Sequence, residues 1–280
     1  MILKLLALSA LLAAQDPPKP AAPVAPAPAI QVKVETMKRV GPDGVTLTGD
    51  YYNVSFDSAD RPLVVCFHME KGSRAEFPAI AQRFGEFACL TFAVDLRNGK
   101  SFDAVPNETA VSAASVLKKT EFTNEEAFAD VVEALKWARE LRPTGQIYAL
   151  GSGTSAALVL AAAARNPACA DALFLFSPAE DVAGWSIAME AKKISVPTYI
   201  TCDGTLEEGA AARKIGNSIN KKLRQMVIPT GVPGAARGAR ILVQSEIAVR
   251  DRHWMSVVKM LLQLAPLGQP AGAETPLKQG

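Results

Sequence analysis

Five short, predominantly apolar stretches constrain this chain most. Residues 62–67 (PLVVCF), 90–96 (LTFAVDL), 146–150 (QIYAL), 172–176 (ALFLF) and 196–201 (VPTYIT) do not alternate apolar with polar, and 223–228 is read as a further strand. A strand can be apolar at every position only if both its faces are covered, as in a parallel sheet clad by helices. The intervening segments carry helical spacing. Residues 75–87, 124–141, 154–164, 209–222 and 252–264 are read as helices, and 154–164 is rich enough in alanine to lie close against a sheet. Ahead of these units, residues 31–40 and 45–53 alternate and are joined by Gly41-Pro42-Asp43-Gly44, a hairpin signal. The pattern predicts an α/β domain over residues 31–265: a mostly parallel central sheet, an antiparallel N-terminal hairpin, and helices on both faces.

The flanks are different in kind. Residues 1–14 (MILKLLALSALLAA) place one lysine before a short apolar run closed by small residues, which reads as a signal peptide and predicts export to the periplasm or the extracellular space. The run is too short to span a bilayer. Six prolines within 17–29 make residues 15–30 a Pro/Ala-rich linker in extended conformation, and residues 266–280 read as a flexible tail.

Composition narrows the function classes. Lys plus Arg number 30 against 28 acids, so a net charge of +2 gives no general attraction to nucleic acid. The four cysteines are widely spaced with no CxxC, which argues against a zinc module, and no cofactor is implied. A Cys89–Cys169 disulfide is conceivable in an exported chain, since both residues precede strands. Ten basic residues between Arg213 and Lys259 face only Glu246 and Asp251, either a solvated basic face or an attraction for an anion.

In a parallel sheet, sites form beyond the carboxyl ends of the strands. Those junctions read His68-Met69-Glu70-Lys71-Gly72-Ser73-Arg74, Arg97-Asn98-Gly99, Gly151-Ser152-Gly153-Thr154-Ser155, Ser177-Pro178-Ala179-Glu180 and Cys202-Asp203-Gly204-Thr205-Leu206-Glu207. The strand–GSGTS–helix junction stands where a nucleophile elbow, Gly-x-Ser-x-Gly, would stand. With FHMEKGSR, AVDLRNGK, LGSGTSAALVLAAAARNP, LFLFSPAE and ITCDGTLEE in that order, residues 31–265 resemble the α/β-hydrolase family, in particular its exported, dienelactone-hydrolase-like members.

The resemblance implies a serine, an acid and a histidine in fixed places. The serine place is held by Gly153, which has no side chain. The acid place falls on Glu207, which serves equally as charge in the first turn of a helix. The histidine place, in Gly231-Val232-Pro233-Gly234, falls on Pro233. The chain has only two histidines, His68 and His253, and His253 lies in a helical segment. Removing the nucleophile or the histidine of such an enzyme costs roughly a million-fold in turnover. About a thousand-fold over water survives from oxyanion donors and binding. Those donors are backbone N–H groups, here Met69 and Thr154.

The primary expectation is a catalytically degenerate domain that binds a small carbonyl or carboxylate ligand, or a partner, with Met69, Thr154, Ser177 and Arg237 lining the site. The alternative is an ester or lactone hydrolase that uses Ser152 as a displaced nucleophile and His68 as its base; against it, Ser152 faces sideways, Ser155 packs the helix start and His68 shapes its loop. A third reading is a cell-envelope interaction module held off a surface by the proline linker.

Overall fold

The computed structural model describes residues 32–54, 61–229 and 235–264. The expected signal peptide, linker and tail, and Pro233, lie outside the described residues. The first two strands, β1 (Val32–Val40) and β2 (Thr46–Val54), form the antiparallel hairpin, in register from Val32↔Val54 to Val40↔Thr46. Then follow β3 (Leu63–Phe67), α1 (Pro78–Glu86), β4 (Leu90–Val94), α2 (Glu108–Leu117), α3 (Asn124–Leu141), β5 (Ile147–Ser152), α4 (Thr154–Arg165) and β6 (Ala172–Phe176). A two-stranded ribbon, β7 (Asp181–Val182) with β8 (Trp185–Ser186), precedes α5 (Ile187–Ala191). The described chain closes with β9 (Thr198–Thr201), α6 (Leu206–Ser218), β10 (Arg224–Val227) and α7 (Ile247–Leu264).

The main sheet has eight strands in the order β1-β2-β4-β3-β5-β6-β9-β10, parallel from β4 to β10. It is an α/β-hydrolase fold. The continuous apolar runs have the expected cause: β3, β4 and β6 are buried at every residue. Alternate side chains feed two cores. One packs α3, α4, α5 and α6 against one face, and the other packs α1 and α7 against the opposite face. Alanine at Ala156, Ala157 and Ala161–Ala164 lets α4 approach the sheet closely.

This division excludes the Cys89–Cys169 disulfide. Cys89 belongs to the α1/α7 core and Cys169 packs against the other, so the sheet separates them, and all four cysteines are free thiols.

Buried ion pairs pin the loops at the carboxyl edge. Arg74 reaches Asp95 at 2.6 Å, Glu108 at 3.0 Å and Asp50 at 3.1 Å. Arg97 is bidentate on Asp130 and also meets Asp43 at 2.8 Å. Both guanidiniums are almost fully buried, where an ion pair holds only with close geometry and further hydrogen bonds. No helix of the described residues is long and apolar enough to cross a membrane.

Candidate functional site

The junction of β5 and α4 carries the tight strand-to-helix turn that the sequence places there. Gly153 is its apex, with φ +61° and ψ −130°. Non-glycine residues occupy such a backbone region only under strain. Its N–H donates to Phe176 O at 2.8 Å, which ties the turn to the end of β6. An added Cβ would stand 2.6 Å from Glu70 Oε2 and 2.7 Å from Met69 Cγ. The apex is therefore both without a side chain and covered.

What covers it are carboxylates of the same chain. The Thr154 N–H, first in α4, donates to Glu70 Oε2 at 3.1 Å, and Arg237 Nη1 holds Glu70 Oε1 at 2.7 Å. The Met69 N–H donates to Glu76 Oε2 at 2.7 Å. Both groups assigned as oxyanion donors are thus already engaged, each by a carboxyl group of the chain held in place of a ligand. Burial pushes the Glu70 carboxyl up; the Thr154 N–H, its own N–H and the Arg237 guanidinium outweigh burial and hold it below the usual carboxylate range. Burial dominates at Glu76 and raises it, against the hydrogen bonds from Ser152 and Met69.

Ser152 is fully buried at the end of β5. Its hydroxyl donates to Glu76 Oε1 at 2.5 Å and accepts the Ala239 N–H at 2.8 Å. Gly238, at φ +67°, lies directly over it: a Cβ there would collide with the Ser152 Oγ.

The structure does not form the expected Ser152–His68 pair. The His68 Nε2 accepts the Leu96 N–H at 2.9 Å, so its Nδ1 carries the proton and donates to Met69 O at 2.8 Å. Asn107 Nδ2 lies 3.3 Å from the same Nε2. Both nitrogens are spent on fixing the loop, and burial lowers the imidazole below its ordinary value. Ser155 donates to His68 O at 2.6 Å and packs the start of α4. His253 lies on α7, fully buried, with its Nδ1 at 3.1 Å from Tyr199 Oη and 3.2 Å from Thr201 Oγ1.

Glu207 does not face the site. Thr205 caps α6 and sets the helix phase so that Glu207 is exposed while Glu208 turns inward. Glu208 meets the Arg237 guanidinium and is reached by the Asp203 N–H at 3.4 Å; burial raises its carboxyl. Ser177, at φ +54°, is buried and accepts the Gly238 N–H at 3.0 Å. Arg237 therefore does line the site, but Glu70 and Glu208 neutralise it, which removes the basis for an anion attraction at this residue. The site gathers Met69, Glu70, Glu76, Ser152, Gly153, Thr154, Ser177, Glu208 and Arg237. Glu70, Glu76 and Glu208 were not singled out as site residues from sequence. Among the described residues no cluster of His, Cys, Asp or Glu is placed to hold a metal ion.

No protein-family model matches the chain, and no curated protein sequence matches it. Solved structures do. A dienelactone hydrolase from Anabaena variabilis is 16% identical with a TM-score of 0.61, over 83% of this chain and 98% of that one. An esterase from Pyrococcus furiosus is 14% identical with a TM-score of 0.59, over 83% and 90%. A dienelactone hydrolase-like promiscuous phosphotriesterase from metagenomic libraries is 16% identical with a TM-score of 0.58, over 83% and 98%. At these identities the likeness establishes the fold: a dienelactone hydrolase-like, α/β-hydrolase architecture carries the apex glycine and its carboxylate cover.

Proposed function

We propose that this chain is an exported α/β-hydrolase-fold domain that does not turn over esters and whose role is binding. The single observation that carries the reading is the state of the two backbone donors beside Gly153: the Thr154 N–H is held by Glu70 and the Met69 N–H by Glu76. An acyl-transfer site needs those donors free for the developing oxyanion, and a nucleophile within reach of it. Here the apex has no nucleophile and the donors are satisfied internally. A small carbonyl or carboxylate ligand reaches the Thr154 N–H only by displacing Glu70 Oε2 from it. A partner at the cell envelope, with residues 15–30 as spacer, needs no such opening and is the form of binding we favour.

A second reading is hydrolysis from Ser152, favoured by the esterases and hydrolases among the structural neighbours. In it Glu76, 2.5 Å from the hydroxyl, is the group placed to take the proton. Turnover of aryl esters of short and medium acids by the protein and by Ser152→Ala separates the two. The binding reading expects the same background rate from both. A turnover that Ser152→Ala abolishes overturns it.

A further inference from the structure

The outer edge of β1 stands apart from the site. β1 pairs along its whole length with β2 on one side and has no strand partner among the described residues on the other. Such an edge is a template for another strand, and proteins guard it with charged side chains. β1 carries four charges, Lys33, Glu35, Lys38 and Arg39. Two are drawn back onto their own chain: Lys38 to Glu108 at 2.6 Å, and Arg39 to Glu140 at 2.5 Å and Glu133 at 3.2 Å. Meanwhile Val34 and Val40, on one face of the strand, are 50% and 66% exposed.

We propose that β1 is a self-association edge, pairing antiparallel with β1 of a second copy about a two-fold axis at Met37. A two-fold axis normal to the sheet keeps each face continuous, so one residue must stand directly opposite the same residue of the second copy. Centred on Glu35, the pairing sets Glu35 against itself. Centred on Thr36, it sets Lys33 against Arg39 of the second copy. Centred on Lys38, it sets Lys38 against itself. Like charges directly opposite are destabilising. Centred on Val34, the pairing meets no like charges but spans only residues 32–36 of the strand and leaves Val40 uncovered. Centred on Met37, no like charges meet: Val34 faces Val40 of the second copy, Glu35 faces Arg39, Thr36 faces Lys38, and Met37 faces Met37. The same register sets each exposed valine against the other and brings Glu35 opposite Arg39, whose guanidinium also meets Glu133 and Glu140 of its own chain. It joins two eight-stranded sheets into one.

One strand pair is a small interface, so the dimer forms with Kd on the order of 10 μM. Sedimentation equilibrium of the full chain tests it. The expected result is a monomer–dimer equilibrium that V34K/V40K weakens at least tenfold, with unchanged circular dichroism because both valines are exposed. Disulfide trapping tests the register: V34C mixed with V40C gives a cross-linked dimer, whereas either variant alone gives no more than the parent chain. A monomer at all concentrations overturns the proposal. So does a dimer indifferent to V34K/V40K, or efficient trapping of V34C with itself.

Discussion

Replacing Glu76 separates a packed-in structural carboxylate from a spare one. Its two oxygens accept the Met69 N–H at 2.7 Å and the Ser152 hydroxyl at 2.5 Å, in a site with almost no solvent. Glu76→Ala leaves the Met69 N–H unpaired and frees the Ser152 hydroxyl to seek another acceptor. A buried donor without a partner costs about 1–3 kcal/mol, so the loss for both is about 3 kcal/mol, before any cavity. Glu76→Gln keeps an acceptor for Met69 and can donate to the Ser152 Oγ, so its cost is about 1 kcal/mol. The two variants also differ from the parent in pH dependence. Because the folded carboxyl of Glu76 is raised, the folded state holds its proton more tightly than the unfolded one. The parent's contribution from Glu76 is fully present below the ordinary carboxylate value and is lost as pH rises through the raised folded value. Glu76→Gln removes that slope. Urea unfolding of the parent and both variants from pH 4 to 8 measures all of this, with m-values checking that the unfolded state is unchanged. A loss below about 1 kcal/mol for Glu76→Ala at neutral pH would refute the view that Glu76 satisfies these donors.

Three further outcomes follow from the same geometry. Gly153→Ser puts a side chain at φ +61° and against Glu70 Oε2, and is expected to cost about 2–3 kcal/mol in thermal or urea unfolding. Combining it with Glu70→Ala should recover about 1 kcal/mol relative to the sum of the single changes; strict additivity would mean that the carboxylate does not cover the apex. Burial lowers His253 to about 4, with Arg252 adding to the effect. Its neutral form is favoured in the fold, so stability falls as pH drops from the ordinary histidine value towards 4, by about 3 kcal/mol, and His253→Asn should flatten that part of a stability–pH profile.

The fold was legible because its signals are local. The 18 residues of α3 begin at a capping box of Thr123 and Glu126, and the apolar spacing behind it fixes the helix at Asn124–Leu141. β6 is a run of five apolar residues buried on both sides, and its limits match the sequence reading. The pieces not foreseen are weakly marked: α2 alternates small and apolar residues without a wide stripe, and β7, β8 and α5 are too short to carry a period. Helix starts moved for a related reason. The segment read as 209–222 begins at Leu206 because Thr205 caps it, and that phase turns Glu208 inward instead of Glu207.

The site divides in the same way. The apex glycine could be read directly from GSGTS, since a strand–turn–helix junction fixes which residue stands at the tip. Its carboxylate cover could not. The Ser152–Glu76 and Thr154–Glu70 bonds join residues 76 and 84 positions apart, and no spacing rule links them. The scarcity of histidine was informative, but the fate of His68 depended on a Leu96 N–H donated from the next strand's end, which only the folded loop reveals.

The central claim is that no serine of this chain is activated. Intact-mass analysis after incubation with a fluorophosphonate probe tests it most directly. An unmodified mass is expected, because Gly153 offers no nucleophile and Ser152 is buried between Glu76 and the Ala239 N–H. A stoichiometric adduct mapped to Ser152 would contradict it and would make this chain a serine hydrolase.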